Sequence, residues 1–109
     1  MINRSSVIVR PKKPFIDWVH SLDGPKISED VINEDRTVYL IPEFESNKDA
    51  MDVLSEGFEV IFEAELYDWH TDPAGWPKNR SFDTFKKWFH IDFHAIVHDC
   101  CGYPITEED

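Results

Sequence analysis

From Asn47 to Trp69, apolar side chains return every three or four residues, at Met51, Leu54, Phe58, Ile61, Phe62, Leu66 and Trp69. That is the period of one face of an α-helix, and a helix this long dictates where everything else in a 109-residue chain can pack. Ser46 or Asn47 can serve as its N-cap. Gly57 is the weak point. Residues 58–66 also alternate, with Phe58, Val60, Phe62, Ala64 and Leu66 separated by Glu59, Ile61, Glu63 and Glu65. A break into a strand at Gly57 is therefore the alternative. One long helix is preferred, because Glu, Ala and Leu favour helix and the stripe runs on to Trp69.

The flanking segments read more simply. Ser5-Ser6-Val7-Ile8-Val9-Arg10 is short, β-branched and stopped by Pro11, the pattern of a first strand. Pro14 suits the start of a helix carrying Phe15, Trp18, Val19 and Leu22, and Gly24-Pro25 ends it. Residues 26–35 fit a loop or one short turn of helix. Arg36 to Ile41 reads as a second strand, closed by Pro42. Residues 72–79 are a loop by composition, after which Ser81 offers an N-cap for a short helix with Phe82, Phe85, Trp88 and Phe89.

His90 to His98 then alternates polar and apolar residues. As a strand it puts His90, Asp92, His94 and His98 on one face and Ile91, Phe93, Ala95 and Val97 on the other. A helical continuation is the alternative, since Phe85, Phe89, Phe93, Ile96 and Cys100 also fit that period. Strand is preferred for its unbroken alternation. This order of elements predicts one α+β domain over residues 1–109, ending in an acidic tail at about 106–109. A small, mainly antiparallel sheet carries helices on one face, with a ferredoxin-like order as the first topology. The fourth strand of such a sheet would come from residues 26–33 or 58–66. Trp18, Phe58, Phe62, Trp69, Phe85 and Phe93 are the expected core, in keeping with 14% aromatic content.

Arg10-Pro11-Lys12-Lys13-Pro14-Phe15-Ile16-Asp17-Trp18, Tyr39-Leu40-Ile41-Pro42-Glu43, Phe62-Glu63-Ala64-Glu65-Leu66, Trp76-Pro77 and Trp88-Phe89 resemble a family of small uncharacterised bacterial proteins. The resemblance spans nearly the whole chain and implies a single compact bacterial domain. It carries over no activity and no catalytic residues.

Charge narrows the function classes. Lys and Arg total 11 against 22 Asp and Glu, a formal net charge of −11. Residues 43–72 hold ten of the acids against Lys48 alone. Basic residues gather elsewhere, at Arg4, Arg10, Lys12 and Lys13 and at Lys78, Arg80, Lys86 and Lys87. Such a field disfavours nucleic acid and favours a basic protein partner. Asp52, Glu56, Glu59 and Glu63, spaced four, three and four apart, share one helical face and are the candidate contacts. The bland alternative is a solvated surface, or neutralisation by the basic segments of the same chain. Trp69 and Trp76, in a proline-containing loop, are further candidates for partner contact, against a role in sealing the core edge.

His90, Asp92, His94 and His98 are the candidate metal ligands. His-x-His on a strand can chelate zinc or iron, but a full site needs a third ligand from His98, His20 or an acid of the long helix. The alternative is a polar strand face turned to solvent. Cys100 and Cys101 are adjacent, which matches neither a redox pair nor a zinc knuckle, and they read as reduced thiols with one buried. Gly-rich phosphate loops, nucleophile elbows and His-Glu-x-x-His helices are absent from the sequence. Pairs of acids such as Glu63 and Glu65 mean little without a cleft. No stretch resembles a signal peptide or a membrane span, so the expected setting is cytoplasmic. The expected function is a non-catalytic interaction or small-ligand-binding module without a cofactor. The alternative is a metal-dependent enzyme or metal-binding protein built on the histidine segment.

Overall fold

The computed structural model describes residues 1–34 and 36–108. The chain runs through β1 (Ser5–Pro11), α1 (Lys13–Ser21), α2 (Glu29–Glu34), β2 (Val38–Ile41), α3 (Asn47–Tyr67), α4 (Phe82–Trp88) and β3 (Phe89–His94). A 3-10 turn at Pro73–Gly75 lies between α3 and α4. β1 is the central strand of a sheet ordered β2-β1-β3, antiparallel on both sides. Its β-branched residues suit that position: Val7 and Val9 are fully buried, as a strand enclosed by neighbours requires. The register sets Val7 opposite both Tyr39 and Phe93, and Val9 opposite Ile91. Those side chains share the face covered by the helices, which gives the two-layer α+β arrangement. Ser6, Ile8 and Arg10 point the other way, beside Leu40 and Val38 on one flank and His94, Asp92 and His90 on the other.

α3 passes through Gly57 without a break. Ser46 caps it by accepting from the Asp49 amide at 3.2 Å. Phe58, Ile61, Phe62 and Leu66 are buried while Val60 is 73% exposed, a split that only helical spacing produces. Residues 29–34 form α2, so neither segment able to supply a fourth strand does so, and the described sheet has three. A ferredoxin-like order is therefore not reached. Asp35, at the end of the segment read as loop or turn, lies outside the described residues.

Aromatic rings fill the interior. Phe62 is 1% exposed, with ring centroids 5.5 Å from Phe85, 5.8 Å from Trp88 and 5.6 Å from Phe89. Phe58 and Phe85 are buried as expected, whereas Trp18, Trp69 and Phe93 are only half-buried at the core margin. Phe15 and Phe89 take the interior positions instead. Trp18 stays at the margin because its indole N–H needs an acceptor, and it donates to the Gly75 carbonyl at 3.1 Å.

β3 stops at His94 rather than continuing to His98. The regular ladder with β1 ends at the Ser6–His94 pair: the Ser5 hydroxyl donates to the Ala95 carbonyl at 2.9 Å, and the Ile2 amide donates to the Val97 carbonyl at 2.8 Å outside the strands. Residues 95–108 lie outside helix and strand, and both Cys100 and Cys101 are exposed rather than one being buried. At the other end, α4 leads directly into β3. The Lys12 amide donates to the Trp88 carbonyl at 2.7 Å, and its ammonium donates to the Lys86 carbonyl at 3.1 Å. A cation is favourable at that helix C-terminus. Among the described residues no helix is long and apolar enough to cross a membrane.

Candidate binding cleft

Tyr39 sits on the core-facing side of β2, opposite Val7. Its hydroxyl donates to Glu65 Oε2 at 2.5 Å. Glu65 follows Ile61 by four residues and Phe62 by three, so the helix carries it onto the buried arc of α3, where it is 7% exposed. A carboxylate so placed loses its hydration. Burial pushes the Glu65 carboxyl above the ordinary glutamate range and the nearby Asp68 adds to that, while the hydrogen bond from Tyr39 pulls it back. The Tyr39 phenol is pushed up as well, first by burial and then by its hydrogen bond to Glu65 and the charges of Glu65 and Asp68. Tyr39 thus remains a neutral donor across the physiological range.

Glu65 lines a cleft of about 520 Å³. Pro11 from the end of β1 and Ile32 from α2 supply its apolar wall. Arg36 and Thr37 enter it from the approach to β2, and Asp68 and Trp69 from the chain just past α3. Two carboxyl groups, one guanidinium, one hydroxyl and one indole ring therefore converge on a single concavity. Tyr39 occupies Glu65 Oε2 from behind. In the sequence Glu65 stands as one of a pair with Glu63 and nothing joins it to the cleft's other groups, but two positions along a helix point to different sides and Glu63 is exposed. The available signal was an acid at the spacing of the apolar stripe. Arg36, Thr37 and Asp68 carried no such mark.

The histidine segment behaves differently. His90, Asp92 and His94 share the open face of the sheet and are all exposed, while His98 lies beyond the strand. Asp92 is paired with Arg10, Oδ2 to Nε at 3.4 Å. His20 Nε2 is 2.6 Å from the Ile27 carbonyl. Among the described residues no three or more His, Cys, Asp or Glu side chains are arranged to hold a metal ion.

Asp52, Glu56, Glu59 and Glu63 do lie on one exposed face of α3, and none joins an ion pair among the described residues. Arg80 approaches the end of this stripe, sharing a cavity of about 170 Å³ with Glu59 and Glu63. Trp69 lines the cleft, but Trp76 fastens its own loop. The Trp76 Nε1 donates to the His70 carbonyl at 2.7 Å, and the Arg80 guanidinium lies 5.7 Å from its ring centroid.

No family model, curated protein or solved structure matches this chain. Neither cysteine nor histidine lines the Glu65 cleft among the described residues. What the cleft brings together is an acceptor held by Tyr39, the Arg36 guanidinium and the Trp69 indole.

Proposed function

We propose that this chain is a non-catalytic binding module whose cleft at Glu65 takes a small molecule bearing a cationic nitrogen. One observation carries the reading, a carboxyl 7% exposed, bonded to Tyr39, in the wall of a 520 Å³ cleft. Buried carboxyl groups are costly unless paired, and an ammonium or guanidinium seated against Glu65 gains from the low local dielectric. The cleft volume falls within the range of small-molecule sites, roughly 300–1,000 Å³. Trp69 lines the same cleft as an aromatic neighbour for the cation, and Arg36 suits an anionic group at the ligand's other end.

Binding of a cation holds Glu65 in its ionised form. Affinity therefore weakens as pH falls through the raised value of the unliganded carboxyl. The same reading sets the module in the cytoplasm, where the exposed thiols of Cys100 and Cys101 stay reduced. A zinc or iron site at His90, Asp92 and His94 is the competing class, and the Arg10 cation held against Asp92 favours the cleft.

The test is an NMR titration with agmatine, arginine and glutarate, the last of which has no amine. Saturable shifts at Glu65, Asp68 and Trp69 with agmatine or arginine, absent with glutarate and lost in Glu65→Gln, are expected. Equal response to all three compounds, or unchanged binding in Glu65→Gln, would contradict the assignment.

A further inference from the structure

β2 pairs with β1 on one side only, and among the described residues no strand lies along its other edge. That edge does not end in open water. Between it and α3 runs a groove of about 260 Å³, lined by residues 39–42 on one side and by Val53, Leu54, Gly57, Val60 and Ile61 on the other. A side chain at Gly57 would meet nothing within 4 Å, so the groove is open there. Val60 is 73% exposed, and on the other face of β2 Val38 and Leu40 are 56% and 50% exposed. An uncovered strand edge between two apolar strips is a template for another extended chain.

The charge around the groove identifies that chain. Asp49, Glu56 and Glu63 lie three or four positions from Val53 or Val60, so they form the rim of the same flank of α3. No basic residue occupies α3 beyond Lys48, and Arg80 comes near this rim only at its end, beside Glu63. A second copy docking edge to edge would bring this acidic rim against itself, on a chain of net charge −11. Like charges brought together disfavour that pairing.

We propose that the β2 edge docks an extended segment of a partner protein in which aliphatic and basic residues alternate. The segment adds as a fourth strand by main-chain hydrogen bonds to β2. Its side chains point alternately to the two faces of the enlarged sheet. Lysine or arginine stems lie over Val53 and Val60 with their charges at Glu56 and Glu63, while aliphatic residues continue the strip of Val38 and Leu40. The groove and the Glu65 cleft share no lining residue, so agmatine does not compete with the peptide whether or not the cleft binds it.

The experiment uses the whole chain and a fluorescent octapeptide of alternating Val and Lys, with the Val and Glu alternation as control. Anisotropy should show saturable binding of the basic peptide only, with amide shifts concentrated at Val38–Ile41. Glu56→Lys with Glu63→Lys should weaken binding about tenfold or more, since two rim attractions become repulsions. Val60→Asp should also weaken it, and as an exposed site it leaves the fold intact, which far-UV circular dichroism checks. Binding of both peptides alike, shifts that avoid β2, or affinity indifferent to the charge reversal would overturn the proposal. So would a concentration-dependent dimer abolished by Val60→Asp, which would make a second copy the occupant.

Discussion

Replacing Phe62 by alanine should come close to unfolding the protein. The ring is 1% exposed and meets three other aromatic rings at 5.5–5.8 Å. Truncation removes on the order of 150 Å² of buried apolar surface, about 4 kcal/mol at roughly 25 cal/mol/Å². Collapse around the gap recovers part of this, while lost ring contacts and residual cavity add to it, which leaves about 3–5 kcal/mol. Domains of this size have about 5–15 kcal/mol in total, so the variant should fold only weakly. In urea, with a slope of about 1.5–2 kcal/mol/M, the midpoint should drop by about 2 M. Phe62→Leu keeps most of the volume and should lose less than half as much. Val60→Ala, on the exposed side of the same helix, should stay within about 0.5 kcal/mol of the wild type. A Phe62→Ala midpoint no lower than that of Val60→Ala would refute this core.

Other perturbations test the parts that frame the cleft. Glu65 has a folded-state value above its unfolded value of about 4.3, so its favourable contribution is complete below pH 4.3 and is lost as pH rises through the folded value. Glu65→Gln keeps the neutral form throughout. Its stability relative to wild type in urea should therefore rise between pH 4 and pH 7; a constant difference would show that Glu65 is not shifted. Ser5 is fully buried and links two segments, donating to Ala95 and accepting from the Phe44 amide at 3.2 Å. Ser5→Ala should cost about 1–3 kcal/mol by equilibrium unfolding, because it strands the part-buried Phe44 amide. A Cβ at Gly75 would sit 2.4 Å from His70 Nε2. Gly75→Ala should displace the His70 ring and loosen the Trp76 clasp, seen as shifted His70 and Trp76 NMR signals; unmoved signals would show that the turn relaxes instead.

Much of the fold was legible because its signals are periodic and redundant. The α3 stripe, its Ser46 cap and the β1 run each pointed the same way, and Gly57 was too weak a break to compete. The open-face placement of His90, Asp92 and His94 followed from alternation alone. The end of β3 was not legible, since it depends on where its ladder with a distant strand stops. The missing fourth strand was illegible for a like reason: residues 58–66 alternate as a strand would, and only burial on three-dimensional packing separates Val60 from Phe62. The cleft was hardest to foresee. Its groups come from the end of β1, α2, the approach to β2 and the end of α3, and their convergence is a property of topology rather than of spacing. Only Glu65, an acid among the stripe residues, carried a local mark.

The most direct test of the binding reading is a carbon-detected NMR titration of the Glu65 carboxyl with and without agmatine. Unliganded Glu65 should titrate above the ordinary glutamate range, and saturating agmatine should bring it down. An ordinary value for Glu65, indifferent to agmatine, would contradict the assignment of the cleft.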